Sequence, residues 1–453
     1  MFTVLGGAPS IVLSTEQTFE DVLKTQFDVF VKGEEGAMLL RDLFGEGIFA
    51  VDGAKWLHQR KTASHLFTHQ MMRDIMATAV MEGTETLCDI LERAQRENTA
   101  VDLKHLLDAL TTEVFTRIGF GVRLGCLDGD CVDPEFLRAF TRCAMAVHDR
   151  AQQPSWLWRF KKYFNIGSEK QFAKDFALVN GILYNVIEAS MSRIKASDAT
   201  QEKNLISLFL SRPGEDEEPG PSPKMIRDMA FNFIAAGRVT TAQSLMWFLV
   251  MINRHPEVEW KIREELEREL PGLVSGRQRV PTMEDIQSLT YLEAAVKESL
   301  RLHPIPPLNV RTADIDTTLS DGTFVPAGTR IFIPTYATAR MPWIWGDDAA
   351  EFKPERWIDA QTGKLVQVSP FKYLVFNAGP RKCLGIKLAM MELKIVLASL
   401  LSMFTIKTER DPSTIKYDLS LSLPVAGDLM ATIHKPTPKH MIATPARAAS
   451  DCV

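Results

Sequence analysis

The stretch FNAGPRKCLG, Phe376 to Gly385, sets one cysteine in a loop made of two glycines, a proline and two basic residues. An almost unbroken apolar pattern, IKLAMMELKIVLASLLSMF, follows at once. A helix that apolar must be enclosed by protein, so the loop and its thiol belong at the edge of a core. A helix starting just after a cysteine offers it free backbone N–H groups and the positive end of the dipole, and both favour thiolate over thiol. Gly379 and Gly385 permit sharp turns and the close approach of a flat ligand, where a Cβ would collide.

What such a thiolate could bind is restricted by what accompanies it. The other cysteines (Cys88, Cys126, Cys131, Cys143 and Cys452) are irregularly spaced. They form neither a disulfide framework nor paired zinc ligands, which points to a reducing compartment. One sulfur cannot complete a tetrahedral zinc site or an iron–sulfur cluster. A single thiolate on a haem iron fits the loop. An inert buried thiol is the plainer reading of any isolated cysteine, and the surrounding loop argues against it.

Along the chain, helical patterns dominate: TEQTFEDVLKTQFDVF, DIMATAVMEGTETLCDILERAQ, VDLKHLLDALTTEVFTRIGFG and FALVNGILYNVIEASMSRI carry apolar residues at three- and four-residue spacing. Strand signals are confined to the two ends and to TLSDGTFVPAGTRIFIPTY, with its Asp-Gly and Ala-Gly turns. The Pro- and acid-rich Ser211 to Lys224 reads as an exposed loop between helices of similar character. We therefore expect one mainly α domain with small β-sheets over residues 1–453. The net charge of -5 gives no reason to expect nucleic acid. The start of the chain has no signal-peptide pattern. Its longest apolar run, Leu245 to Ile252, is far short of the ~20 residues that cross a bilayer, so the chain as given reads as soluble.

FNAGPRKCLG resembles the haem-binding signature Phe-x-x-Gly-x-Arg-x-Cys-x-Gly of cytochrome P450 monooxygenases, matched at every defined position. The resemblance runs from about Phe2 to His434. It implies a triangular helical prism enclosing haem b, with Cys383 as the iron ligand and Phe376, Gly379, Arg381 and Gly385 in the cofactor loop. ESLR and EFKPERW resemble the family's Glu-x-x-Arg and Pro-Glu-Arg elements, which implies a buried structural cluster of Glu298, Arg301 and Arg356. WLHQR resembles Trp-x-x-x-Arg, which implies that Trp56 and Arg60, with Arg311 and Arg381, meet the haem propionates. His58 and His303 read as ordinary polar residues. FIAAGRVTTAQ resembles the oxygen-activating helix, with Gly237 leaving room above the haem and Thr240 relaying protons. Val239 stands where the family carries an acid.

LKTQFDVFVKG, LFGEGIFAVDGAKWLHQRKTASHLF and WGDDAAEFKPERW resemble the eukaryotic fatty-acid and alkane ω-hydroxylase branch. That implies insertion of one oxygen atom of O2 at or near the end of a long aliphatic substrate. The branch is held on the cytosolic face of the endoplasmic reticulum membrane, and this chain begins about where the first sheet should, so an anchor and first helix are expected upstream. There is no flavin or nicotinamide domain, so electrons are expected from NADPH–cytochrome P450 reductase, with cytochrome b5 as a second donor. Lys372, Arg381, Lys382 and Lys387 form a basic patch suited to an acidic flavoprotein. The protein is expected to be a monomer. Because of Val239, a haem-thiolate protein that rearranges hydroperoxides, or only binds haem, is the second reading.

Overall fold

The computed structural model describes residues 2–3, 9–127, 134–196, 204–207, 222–418 and 420–436. Cys131, Cys452 and most of the expected acidic loop, residues 211–221, lie outside them.

The helices that build the molecule are α1 (Glu34–Phe44), α2 (Gly53–Ser64), α3 (Thr78–Glu97), α4 (Leu103–Phe120), α5 (Pro134–Ala151), α6 (Ser155–Phe164) and α7 (Gly167–Ala196). They continue with α8 (Pro223–Arg254), α9 (Pro256–Glu269), α10 (Thr290–Leu302) and α11 (Ile386–Met403). Their ends follow local chemistry. At the start of α8 the Ser222 hydroxyl accepts the Met225 N–H, with Pro223 in the first turn. The Asp102 carboxylate caps α4 on the Lys104 N–H, and Gly121, at φ +65°, ends it.

Five strands, β1 (Phe2–Thr3), β2 (Pro9–Val12), β3 (Phe30–Val31), β5 (Asn309–Ala313) and β8 (Arg330–Ile333), form a sheet in the order β1-β2-β8-β5-β3. Only β2 and β8 run parallel. Its register sets Arg311 opposite Ile331 and Val31 opposite Thr312. A second sheet joins β4 (Val101–Asp102), β10 (Met430–His434) and β9 (Thr405–Thr408), and a small hairpin pairs β6 (Thr317–Thr318) with β7 (Phe324–Val325). The expectation of a mainly α fold with small sheets holds.

The largest apolar core gathers α3, α4, α8, α10 and α11, and a smaller one backs the five-stranded sheet. Tyr373, just before the cysteine loop, packs against both. Helix α8 is long and apolar enough to cross a membrane, although the sequence offered no such run, and 72% of its apolar window is buried inside the protein. One segment differs from its pattern. The expected helix from Thr15 stops at Glu20 and continues as a wider turn, Asp21–Thr25. There the Asp21 carboxylate accepts from Thr25 Oγ1 and from the Ser320 N–H and hydroxyl, tying the turn to the sheet side.

Candidate functional site

The cysteine loop is closed by its own backbone: the Cys383 N–H donates to the Phe376 carbonyl at 2.8 Å and the Lys382 N–H to the Gly379 carbonyl at 3.0 Å. The Ala389 N–H then reaches Gly385 and opens α11. Cys383 is open on one side and enclosed on the others. Burial pushes its thiol up, while the Gly385 N–H and the Arg60 guanidinium oppose that rise. The pull of a backbone amide and a nearby cation is present, but burial outweighs it. Gly379, at φ +65°, has a reason other than the flat ligand expected: a Cβ there would stand 1.8 Å from the Leu23 carbonyl oxygen. Backbone of the Asp21–Thr25 turn fills that space. At Gly385 a Cβ would meet Cys383 Sγ and Phe67 only at ordinary contact distance, 3.9 Å.

Around the loop stands a basic cradle. Helix α2 lifts Arg60 so that Nη2 donates to the Lys382 carbonyl at 2.6 Å. The Arg381 guanidinium lies 4.4 Å from the centre of the buried Trp56 ring and bonds Asp52 at 2.5 Å and the Val51 carbonyl at 3.0 Å. Arg311, only 1% exposed, donates to its neighbour's carbonyl and leaves Nε without a partner among the described residues. Burial, helped by Arg381, lowers it to about 10. Two members escaped the sequence reading. Lys32 enters where β3 pairs with β5, its N–H bonded to Asp52 at 3.0 Å. Although the residue is half-exposed overall, enclosure of its ammonium holds it well below the usual lysine range, and Arg311 and Arg381 add to that effect. The available signal was the Lys-Gly pair at the end of LKTQFDVFVKG, quoted only for its resemblance. Arg381 bonds Asp52, and Arg311 and Lys32 also feel its charge, so three cations share one carboxylate.

The structure brings Glu298, Arg301 and Arg356 together. The Glu298 carboxylate is wholly buried and accepts Arg301 Nε and Nη2 at 2.7 and 2.8 Å. It also takes Arg356 Nε at 3.3 Å, Trp357 Nε1 at 2.9 Å and the Lys353 N–H at 3.0 Å. Arg301 in turn donates to the carbonyls of Ala339, Ala349 and Glu351. The Arg301 guanidinium and Lys372 both lie over the Trp345 ring, at 5.0 and 4.9 Å. Lys372 is therefore engaged, and Arg381 is turned inward. The expected basic patch reduces to the exposed Lys382 and Lys387.

On α8, Thr240 Oγ1 donates to the Ala236 carbonyl at 2.6 Å. Ala235, Ala236, Val239 and Thr240 are half-exposed while their neighbours are buried. Their three- and four-residue spacing makes them one open stripe. Val239 thus faces the same opening as Thr240 and is not sealed core. Gly237 is corrected: a Cβ there would stand 1.9 Å from the Phe115 ring, so its missing side chain lets α4 approach α8. His303 is buried and stacked on Trp247 at 4.1 Å; burial holds it well below the usual range, a packing role.

A family profile described as cytochrome P450 matches residues 1–429. The chain belongs to the cytochrome P450 family. Cytochrome P450 86B1 of Arabidopsis thaliana is 33% identical over 407 residues, 88% of this chain and 72% of that protein. Cytochrome P450 94A1 of Vicia sativa is 32% identical over 449 residues, 95% of this chain and 82% of that protein. The crystal structure of the cytochrome P450DA haem domain superposes with a TM-score of 0.76 at 22% identity, covering 94% of this chain and 88% of that one. This cytochrome P450 is a haem-thiolate monooxygenase. Its residues fit the cofactor: one open thiol with an amide aimed at sulfur, and an excess of positive charge with an orphaned Arg311 Nε, suited to two propionates.

Glu392, on α11 nine residues past Cys383, is wholly buried, and neither carboxylate oxygen has a partner among the described residues. Burial pushes it from 4.5 up to about 8. A carboxyl raised in the folded state is protonated there at neutral pH. The stability it permits is full below the unfolded value and falls as pH rises, until the folded group also ionises near pH 8. Glu392→Gln should therefore match the wild type near pH 4 and gain on it by about 1.4 kcal/mol per pH unit from about pH 5 up to pH 8. Denaturant titrations across that range check this; a constant gap contradicts it.

Proposed function

We propose that this cytochrome P450 works as a single catalytic domain that hydroxylates long-chain fatty acids at or near the terminal carbon. The carrying observation is the open α8 stripe, three apolar residues beside one tethered hydroxyl. An aliphatic chain can lie along Ala235, Ala236 and Val239 with its end close to Thr240. The bound haem supplies the oxidising chemistry. The protein holds it through Cys383 and the Arg311–Arg381–Lys32–Arg60 cradle. With its proton spent on the Ala236 carbonyl, the Thr240 oxygen keeps its lone pairs for a water or an incoming proton donor. That provision for proton delivery favours oxygen-dependent hydroxylation over hydroperoxide rearrangement, which needs no external protons.

Reducing equivalents come from NADPH–cytochrome P450 reductase, with cytochrome b5 as a second donor, docking near Lys382 and Lys387. The natural site is the cytosolic face of the endoplasmic reticulum membrane, and the protein is a monomer. Helix α6 supports the membrane reading: Trp156, Phe160, Tyr163 and Phe164 are exposed beside Lys161 and Lys162, the composition of an interfacial helix.

The deciding experiment reconstitutes the haem protein with the reductase, NADPH, isotopically heavy dioxygen and saturated long-chain fatty acids. A terminal or near-terminal hydroxy acid carrying one heavy oxygen is expected. Conversion of fatty acid hydroperoxides without NADPH, and no hydroxylation, would favour the rearrangement reading. Binding of steroids but not fatty acids would overturn the substrate class.

A further inference from the structure

Trp247 sits on α8 seven residues past Thr240, close to two full turns, so it lies on the same face about 10 Å further along the axis. It is 1% exposed, and its Nε1 donates to the Leu423 carbonyl at 2.7 Å. The His303 imidazole stacks on the indole with planes 4° apart. Burial keeps that imidazole well below its usual range, so the stacked partner carries no charge at neutral pH. The Trp247 ring also meets Tyr417 at 6.4 Å, and Tyr417 meets Tyr336 at 5.5 Å. Tyr417 and Leu423 belong to one stretch of chain, bridged between Tyr417 and Val425. That stretch therefore holds both the indole N–H and the phenol ring. Tyr417 is 36% exposed. A run of oxidisable rings thus leads from the Thr240 face of α8 to the surface.

We infer that Trp247 and Tyr417 form a discharge path that carries oxidising equivalents from the haem site to the surface, giving this cytochrome P450 a peroxidase activity toward soluble one-electron donors. The placement of charge decides between this path and the other aromatic groups. Indole and phenol rings give up an electron readily, and a cation held against the ring opposes that. Trp56 has the Arg381 and Arg60 guanidinium groups at 4.4 and 5.7 Å from its ring. Tyr373, beside the cysteine loop, leads through Trp357 to Trp345, where Arg301 and Lys372 cover the ring. That run ends at a buried ring under two cations. Among the described residues no cation lies over Trp247 or Tyr417, whereas Arg340 stands 3.8 Å from the Tyr336 ring centre. A hole entering at Trp247 therefore settles on Tyr417 and not on Tyr336. Hydrogen peroxide takes up two electrons and two protons to become two waters. With no substrate present, Trp247 supplies each electron in turn. Tyr417 refills it and loses its phenolic proton to water. A soluble thiol or enediol then returns a hydrogen atom to the Tyr417 oxygen. In sum, one peroxide and two donor hydrogen atoms give two waters.

The path rests on the haem-thiolate chemistry of the family and not on the fatty-acid reading, so it is tested without substrate or reductase. Wild-type holoenzyme and the variants Trp247→Phe, Tyr417→Phe and Tyr336→Phe, matched by haem content, are mixed with hydrogen peroxide. Radicals are trapped by rapid freezing and assigned by electron paramagnetic resonance, using protein that carries ring-deuterated tyrosine. Loss of the Soret band is followed with and without ascorbate. Wild-type protein should form a tyrosyl radical that ascorbate quenches, and ascorbate should slow its bleaching. Tyr417→Phe, a change at the surface, should lose that radical, bleach several-fold faster and gain little from ascorbate. Trp247→Phe should do the same, and Tyr336→Phe should behave as wild type. A tyrosyl radical that persists in Tyr417→Phe with unchanged bleaching would overturn the path. Loss of the radical in Tyr336→Phe but not in Tyr417→Phe would contradict the charge argument that ends the path at Tyr417. If Trp247→Phe fails to hold haem, the comparison of Tyr417→Phe with wild type decides alone.

Discussion

Arg301→Ala is expected to give haem-poor protein that aggregates on expression, not an enzyme of altered selectivity. Arg301 is 1% exposed and its guanidinium is fully engaged, by the Glu298 carboxylate and by three backbone carbonyls. Removing it strands Glu298, which is wholly buried, with Arg356 as its remaining cation at 3.3 Å. Breaking a buried pair in this way costs about 3–5 kcal/mol, against a typical total stability of about 5–15 kcal/mol. The damage spreads to the thiolate side through Trp345, which Arg301 and Lys372 share. Tyr373 adds a second route, its ring against Trp357 and its hydroxyl on the Lys297 carbonyl. Soluble yield and the haem-to-protein ratio measure the outcome. A well-folded variant with full haem and shifted regiochemistry would contradict the structural role.

Val239→Asp is expected to raise the amount of product formed per NADPH consumed. Val239 sits on the open stripe beside Thr240, so a carboxylate there would reach the same opening. The Thr240 hydroxyl is tethered to Ala236 and can orient a water, but a valine cannot pass on a proton. A wild type whose proton supply is incomplete should lose much of its NADPH as hydrogen peroxide. A positioned acid or base contributes about 10²–10⁴-fold where proton transfer limits the rate, which bounds the gain. Simultaneous assays of NADPH, peroxide and hydroxy acid decide it. Tight coupling in the wild type, unchanged in the variant, would reduce Val239 to packing.

What could be read from sequence was whatever is fixed over short spans. The cysteine loop is one contiguous element, and Glu298 and Arg301 are three apart on a single helix. Thr240 and its bond to Ala236 follow from helix geometry alone. What could not be read depends on elements meeting from afar. Gly379 is required by Leu23, and Gly237 by Phe115, contacts that no local pattern encodes. Lys32 and Asp52 join the cradle because β3 pairs with β5 and the start of α2 faces the cysteine loop. Lys372 read as part of an exposed docking patch, and only the fold places Trp345 beneath it. The helix from Thr15 widens at Asp21, whose carboxylate is bonded to the Ser320 N–H and hydroxyl from far along the chain.

The account stands on Cys383 as the thiolate ligand of the haem, and the carbon monoxide difference spectrum of the reduced protein tests that most directly. Wild-type protein should show the strongly red-shifted Soret band of a thiolate-ligated ferrous–carbonyl haem, and Cys383→Ala should lack it entirely, with little bound haem. Persistence of the shifted band in Cys383→Ala, or its absence from wild-type protein with full haem content, would contradict the assignment.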